Sequence, residues 1–270
     1  MPIPFVSLAL VLSLALPALP AAAETAVSAV ERVAARQGCP DCDLRRANLR
    51  ALNLPLADFS GANLREADLK DAHLPGVRFV GADLRRAEME GMDLEGADFS
   101  AANLRGADLE KSSMPGASFV GADLREVDFA NAVLTEARLA GTDLRGAFLR
   151  RADANRADFS GIQAPGVDFE RAQLVEARFD GANLQGADLD RINGVRISLR
   201  DADLRDARLT SANLTGADLR GADLRGALLR RTRLVGADLS GARVGRADLE
   251  MACGDEATVL PPGLSLAPCS

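Results

Sequence analysis

Four cysteines, one histidine and a dense set of arginines and carboxylates are the side chains with chemistry to offer. Cys39 and Cys42 form a C-x-x-C, and Cys253 and Cys269 lie far along the chain. As a bare pattern such thiols suit a zinc site, a redox couple or structural disulfides. His73 is the sole imidazole, and general-base chemistry is what it would offer. Arg45, Arg65, Arg85, Arg105, Arg125 and Arg145 recur at one fixed interval; Pro165 and Gln185 interrupt the series, and Arg205 and Arg225 resume it. Guanidinium groups in a row would bind an anionic polymer or lipid head groups. A further set is acidic: Asp68, Glu88, Glu90, Asp108, Glu110 and Asp128, then Asp168, Glu170, Asp188 and Asp190. Whether any of these groups act together depends on the elements that place them.

Composition narrows the choice. The 270 residues contain no Trp and no Tyr, and the formal charge of −7 argues against a strongly basic nucleic-acid binder. Met1 to Ala23 carries no charged side chain, and Phe5 to Leu16 is an apolar run, with only Ser7 and Ser13 in it, followed by Pro17, Pro20 and Ala21-Ala22-Ala23. This reads as a secretory leader with cleavage expected after Ala23, although its start lacks Lys or Arg. The rival reading is a retained anchor, for which the run is short and interrupted by proline. No Cys stands at the cleavage point, so lipid anchoring is not indicated. The expected location is periplasmic or secreted.

From Leu44 to Leu249 an apolar residue returns at every fifth position, through 42 centres with no insertion or deletion. Ala precedes the centre by two positions in 30 of the 42, with Asp or Asn commonest in between, so the pattern constrains two slots per repeat. A period of five fits neither a helix at 3.6 nor a plain strand at 2. It fits a short extended piece plus a corner. In the extended piece the Ala and centre slots face inward and the residue between them faces out. Of 24 glycines, 19 stand two residues after a centre and mark the corner. More than half the corners carry another residue, from which the expectation is that not every corner needs a positive φ. Pro55, Pro75, Pro115 and Pro165 follow a centre directly, where a turn accepts them.

The phenylalanines count the sides. Phe59, Phe79, Phe99, Phe119, Phe159 and Phe179 are separated by multiples of 20, with Leu139 breaking the series. Six of eight central rings in one phase imply a 20-residue coil of four pentapeptides, with the rings stacked on one wall. With this motif, A(D/N)LxG, the chain resembles the pentapeptide-repeat family over residues 42 to 251. The resemblance implies an all-β fold, a right-handed quadrilateral parallel β-helix. About ten and a half coils at roughly 4.8 Å give a rod about 50 Å long.

The expected organisation is a leader at 1–23, an N-terminal cap at 24–41, the solenoid at 42–251 and a C-terminal cap at 252–270. Glu24 to Gln37 reads as a short amphipathic helix with Val27, Val30, Val33 and Ala34 on one side. The Pro- and Leu-rich segment from Thr258 to Ser270 is expected to cover the last coil, because open strand edges invite association. Ala164 and Gly194 are small centres preceded by Ile162 and Ile192, which keeps volume roughly constant. Ala154 has only Ala152, so a void or inward dent is expected there.

On a rod, the cysteine pairs lie at opposite ends and share neither a metal nor a bond. In an oxidising compartment Cys39–Cys42 and Cys253–Cys269 are the expected disulfides, one for each cap. The arginine column has Asp43, Asp83, Asp123, Asp143, Asp203 and Asp223 two residues earlier on its own wall, so self-neutralisation is favoured over ligand binding. The acidic set matters because some relatives in the resembled family mimic duplex DNA and inhibit DNA gyrase. A leader and the basic corners Arg151, Arg171 and Arg191 weigh against that role here. His73 occupies an outward slot and reads as a solvated side chain. No catalytic, metal or cofactor site is expected.

The favoured function is a non-catalytic binding or scaffold protein of the bacterial cell envelope, with a DNA-mimic inhibitor of a type II topoisomerase as the alternative. The expected partner is a protein or another envelope component. No nucleic acid is expected, and no membrane span after leader cleavage. The wall bearing Pro55, Pro75, Pro115, Val175, Val195 and Val235 is the least charged and is the expected contact surface. Oligomeric state is not legible.

Overall fold

A short extended segment satisfies its backbone only by pairing with a neighbour at the same phase. In the computed structural model, which describes residues 29–269, that neighbour is twenty residues away. Four parallel ladders run the length of the rod, each through the outward residue before the centre. The first wall runs from Asp43 through Asn63 and Asp83 to Arg243. The second runs from Asn48 to Leu228, the third from Asn53 to Cys253, and the fourth from Gly38 to Val259. Within a ladder, each central N–H donates to a carbonyl on the next coil; Phe99 N to Ser118 O is 2.8 Å. The next inward residue closes the corner, as Ala102 N donates to Phe99 O at 3.0 Å.

The corners correct one expectation. Every corner from Asp41 to Gly241 has φ between 52° and 73°, whether or not it holds glycine. With the corner bond just described, this is the signature of a type II turn, whose third residue needs a positive φ and whose second accepts proline. Arg46, Glu126 and Arg151 adopt φ of 56°, 60° and 57°. Such a conformation costs roughly 1–2 kcal/mol for a residue with a Cβ. The inter-coil ladder holds it in place: Arg46 N donates to Arg65 O at 3.0 Å, and Arg151 N to Glu170 O at 2.9 Å.

The inward slots fill the rod. Phe59, Phe79, Phe99 and Phe119 stack along the fourth wall with ring centroids 5.4, 5.2 and 5.0 Å apart, and Phe159 stacks on Phe179 at 4.6 Å. Phe129 and Phe169 enter from the second wall and meet this column edge-on. At Ala154 the ladder is unbroken, with its N–H 2.8 Å from Gln173 O. At Gly194 an added Cβ would meet Leu214 at 3.0 Å and Ile197 at 3.2 Å. Leu214 on the next coil and Ile197 past the corner therefore occupy that space, alongside buried Ile192.

Both ends depart from the repeat. Among the described residues the capping helix α1 spans Ala29–Ala35, ending two residues before the expected Gln37, and Val33 drives its fit by full burial in the core. Ala34 is exposed, not part of the buried side. The leader, its cleavage point and Val27 fall outside the described residues, as does the side chain of Val30. Ladder pairing reaches back to Gly38, so Cys39 fills a central slot below Phe59. At the other end, Arg246–Leu249 form one helical turn, α2, in place of the last extended pentapeptide, although Leu249 still points into the core. Strands β1 (Cys253–Gly254) and β2 (Ala267–Pro268) then pair in parallel, Cys253 opposite Ala267. Leu260, Leu264 and Leu266 pack against the core from this tail.

Candidate functional surface

The repeat sends one outward side chain and one corner side chain per pentapeptide into solvent, so each functional group recurs as a column. The cysteines are at the rod's two ends, Cys39 bonded to Cys42 and Cys253 to Cys269, with Cα separations of 5.5 and 4.8 Å. Cys39 and Cys42 straddle the corner at Asp41, the position where other coils place a centre and the next inward alanine.

On the first wall the arginines stand one per coil, and their charge is consumed locally. Arg125 Nε donates to Asp123 Oδ1 at 2.8 Å and its Nη2 to Oδ2 at 2.5 Å. Arg45, Arg85, Arg145, Arg205 and Arg225 make the same two-pronged bond to the Asp two residues earlier. The guanidinium bond holds Asp83, Asp123, Asp143, Asp203 and Asp223 below the ordinary carboxylate range. Arg65 and Arg105, which follow Asn63 and Asn103, turn to corner glutamates: Arg65 lies 3.3 Å from Glu66, and Arg105 donates to Glu126 at 2.7 Å. An open depression of about 480 Å³ lined by Asp43, Arg45, Arg46, Arg65 and Glu66 is paved by such pairs.

The second wall is unlike the first. Its outward and corner residues change sign along the rod. Between Asn48 and Asn131 the wall carries seven carboxylates against Arg50, Lys70 and Lys111. Between Phe148 and Arg231 it carries seven arginines against Asp168, Glu170, Asp188 and Asp190. In the acidic half Lys70 reaches Glu88 at 2.8 Å and Lys111 reaches Glu90 at 2.9 Å. Asp108 and Asp128 stack in one ladder with no ion pair among the described residues. Burial, then the charges of Asp108 and Glu110, push the Asp128 carboxyl up. In the basic half Arg150 bonds Asp168, Arg191 reaches Glu170 at 2.7 Å, and Arg208 bonds Asp190 and lies 3.3 Å from Asp188. Arg151, Arg230 and Arg231 have no carboxylate partner among the described residues. The sequence lists both sets of charges, yet their sum wall by wall is what exposes the reversal.

The third wall holds the low-charge positions; Val175, Val195 and Val235 are half-buried, and Gln173 and Asn193 form an amide ladder at 3.0 Å. His73 is on this wall, its Nδ1 2.8 Å from Asp93 Oδ2 and half exposed.

The family model for pentapeptide repeats matches in eight copies, from residues 42–79 through 212–250. Among solved structures the chain is similar to HetL, a pentapeptide repeat protein involved in heterocyst differentiation regulation from Nostoc sp. Strain PCC 7120. That match has 28% identity over 83% of this chain and 94% of HetL, with a TM-score of 0.45. It is also similar to QnrB1, a plasmid-mediated fluoroquinolone resistance protein, at 20% identity over 70% of this chain and 90% of that one, with a TM-score of 0.37. A pentapeptide repeat protein from the Arabidopsis thaliana thylakoid lumen matches at 24% identity over 52% of this chain and 70% of its own, with a TM-score of 0.18. No curated protein sequence matches the chain.

Proposed function

The chain belongs to the pentapeptide-repeat family and folds as its right-handed quadrilateral β-helix, and on that premise we propose that it is a non-catalytic binding or scaffold protein of the bacterial cell envelope. One observation carries the reading: the groups with chemistry to offer are dealt out one per coil along four walls around a filled core. Such a molecule works by presenting extended surface. Two disulfides, one at each end, support an oxidising compartment and so the export expected from Met1 to Ala23. The third wall, around Val195 and Val235, is the proposed contact surface for a protein partner.

Fractionation of cells with thiol trapping tests the location. The expected result is a periplasmic chain that begins at Glu24 and reacts with alkylating reagent only after reduction. An unprocessed cytosolic chain with free thiols overturns the envelope reading. Crosslinking in intact cells tests the contact wall: Val195→Glu with Val235→Glu should lower recovery of the partner, and unchanged recovery discards that surface.

Inhibition of a type II topoisomerase by duplex mimicry is the second reading. Its support is the acidic half of the second wall, where Asp108 and Asp128 stack with no ion pair among the described residues. Lys70 and Lys111 reduce the charge of that strip, and the rest of the wall is basic. A DNA supercoiling assay with purified protein separates the two, because inhibition by stoichiometric protein would favour mimicry.

A further inference from the structure

Most arginines on this rod pair with a carboxylate; among the described residues Arg36, Arg78, Arg86, Arg138, Arg233 and Arg246 do not and are scattered, whereas three others fall on one half-wall. Arg151, Arg230 and Arg231 have none among the described residues, and all three lie in the basic half of the second wall or at its corner. Beside them are exposed apolar side chains in outward positions. Phe148 is 50% exposed and Leu228 is 55% exposed, and one ladder joins them through Asp168, Asp188 and Arg208.

The two points are built from one sequence. Asp143-Leu144-Arg145-Gly146-Ala147-Phe148-Leu149-Arg150-Arg151 repeats as Asp223-Leu224-Arg225-Gly226-Ala227-Leu228-Leu229-Arg230-Arg231, with only Phe148 changed, to Leu228. Eighty residues separate them, which is four coils, or about 19 Å along the rod. Each point offers an apolar side chain in an outward slot, followed by two guanidinium groups. At the second point Met251, 54% exposed, lies one level on, its carbonyl 2.7 Å from Arg231 N.

We propose that this half-wall, from Phe148 to Met251, is a docking surface for an anionic phospholipid bilayer. Unpaired guanidinium groups gain most from lipid phosphates, because no intramolecular bond must first be broken. Phe148, Leu228 and Met251 are placed to enter the boundary between head groups and acyl chains, while the arginine stems lie along it. The carboxylates between the two points are already held, Asp168 by Arg150, Glu170 by Arg191, and Asp188 and Asp190 by Arg208. Beyond them Asp248 accepts from Gly245 N at 2.7 Å, and Glu250 beside Met251 makes no ion pair among the described residues. The acidic half of the same wall repels such a surface, so the rod meets it with its C-terminal half. This is a peripheral contact and needs no spanning segment. It rests on the envelope reading only for access to a bilayer, since binding by the purified chain is independent of where the cell keeps it.

Co-sedimentation of the full chain with vesicles tests it, comparing phosphatidylglycerol mixed into phosphatidylcholine with phosphatidylcholine alone. A leader, if retained, is common to all variants, so the readout is the preference for anionic vesicles. We expect a clear preference that fades at high salt. Arg230→Gln with Arg231→Gln should weaken anionic binding about thirty-fold, at about 1 kcal/mol per arginine near such a surface. Phe148→Ser with Leu228→Ser should weaken it further, while Arg125→Gln on the first wall leaves it unchanged. The proposal falls if anionic vesicles are not preferred, or if the preference survives the double arginine substitution in protein with an unaltered circular dichroism spectrum. It also falls if heparin, a soluble polyanion, binds through these arginines while vesicles do not. None of these failures bears on the fractionation result.

Discussion

The two halves of the second wall share one backbone, one corner geometry and one kind of filling, yet carry opposite charge. Up to Asn131 the wall is an acidic strip; from Phe148 it is basic, with apolar side chains exposed. Behind both halves sit Leu and Phe at full burial. The difference shows that in this architecture the outside is written independently of the inside. Each outward residue touches its neighbours on the adjacent coils and little else, so a charge can change sign without disturbing a packed layer. An ordinary globule, in which one side chain often serves both core and surface, has less of this freedom.

If the halves differ only outside, equal damage inside should cost the same in each. Phe99→Ala and Phe179→Ala each remove a stacked, fully buried ring and should destabilise the protein by about 3–5 kcal/mol. Urea unfolding would measure both, and a large inequality would mean that the halves differ in more than charge. The rod's ends should not be equal. Opening Cys253–Cys269, which closes a loop of about 15 residues, should cost about 3 kcal/mol in the chain-entropy model, and Cys39–Cys42 less because its loop is shorter. Thermal melts of Cys253→Ser with Cys269→Ser against Cys39→Ser with Cys42→Ala would rank them. Gly194→Leu, which restores the common centre, should destabilise by about 1–3 kcal/mol, because Leu214 and Ile197 already fill that space.

The smallest effects test the charges themselves, and their sign depends on pH. Asp123 is held low by Arg125, so its ionised form stabilises the fold above the ordinary value of 3.8, and that contribution is lost as pH falls below it. Asp128 is pushed up by burial and by Asp108 and Glu110, so its ionised form costs stability at neutral pH, and the cost disappears as pH falls through its raised value. Asp123→Asn should therefore lower the melting temperature at pH 7 and Asp128→Asn should raise it. Both differences should shrink in acid. Equal and same-signed shifts would remove the contrast between a neutralised wall and a strip under self-repulsion.

Much of this was legible in the sequence. Leu44 to Leu249 fixed the register, and the spacing of Phe59, Phe79 and Phe99 fixed the number of walls, because a filled core tolerates few exceptions at its centres. The left-handed corners were not legible. Arg151 or Glu126 at a corner gives no local sign of a positive φ, since the ladder on either side imposes it. Helix α2 was hidden because Leu249 keeps the period while its backbone abandons the extended form. The arginine column was visible, as were the aspartates that quench it, but Arg230 and Arg231 interrupt no pattern, so nothing in the sequence marks them.

The tail has a consequence for how the rod is closed. From Cys253 to Ala267 the chain climbs one level in fourteen residues, where each circuit of the repeat takes twenty and the step from Asp238 to Val259 takes twenty-one. A circuit cut short leaves no complete square above it, so the next copy of the motif would have no platform on which to wind. The clasp at Cys269 then fixes that unfinished storey in position. The short circuit therefore lies as a lid across the coil beneath it, closed by a covalent latch and not by one more square of the repeat.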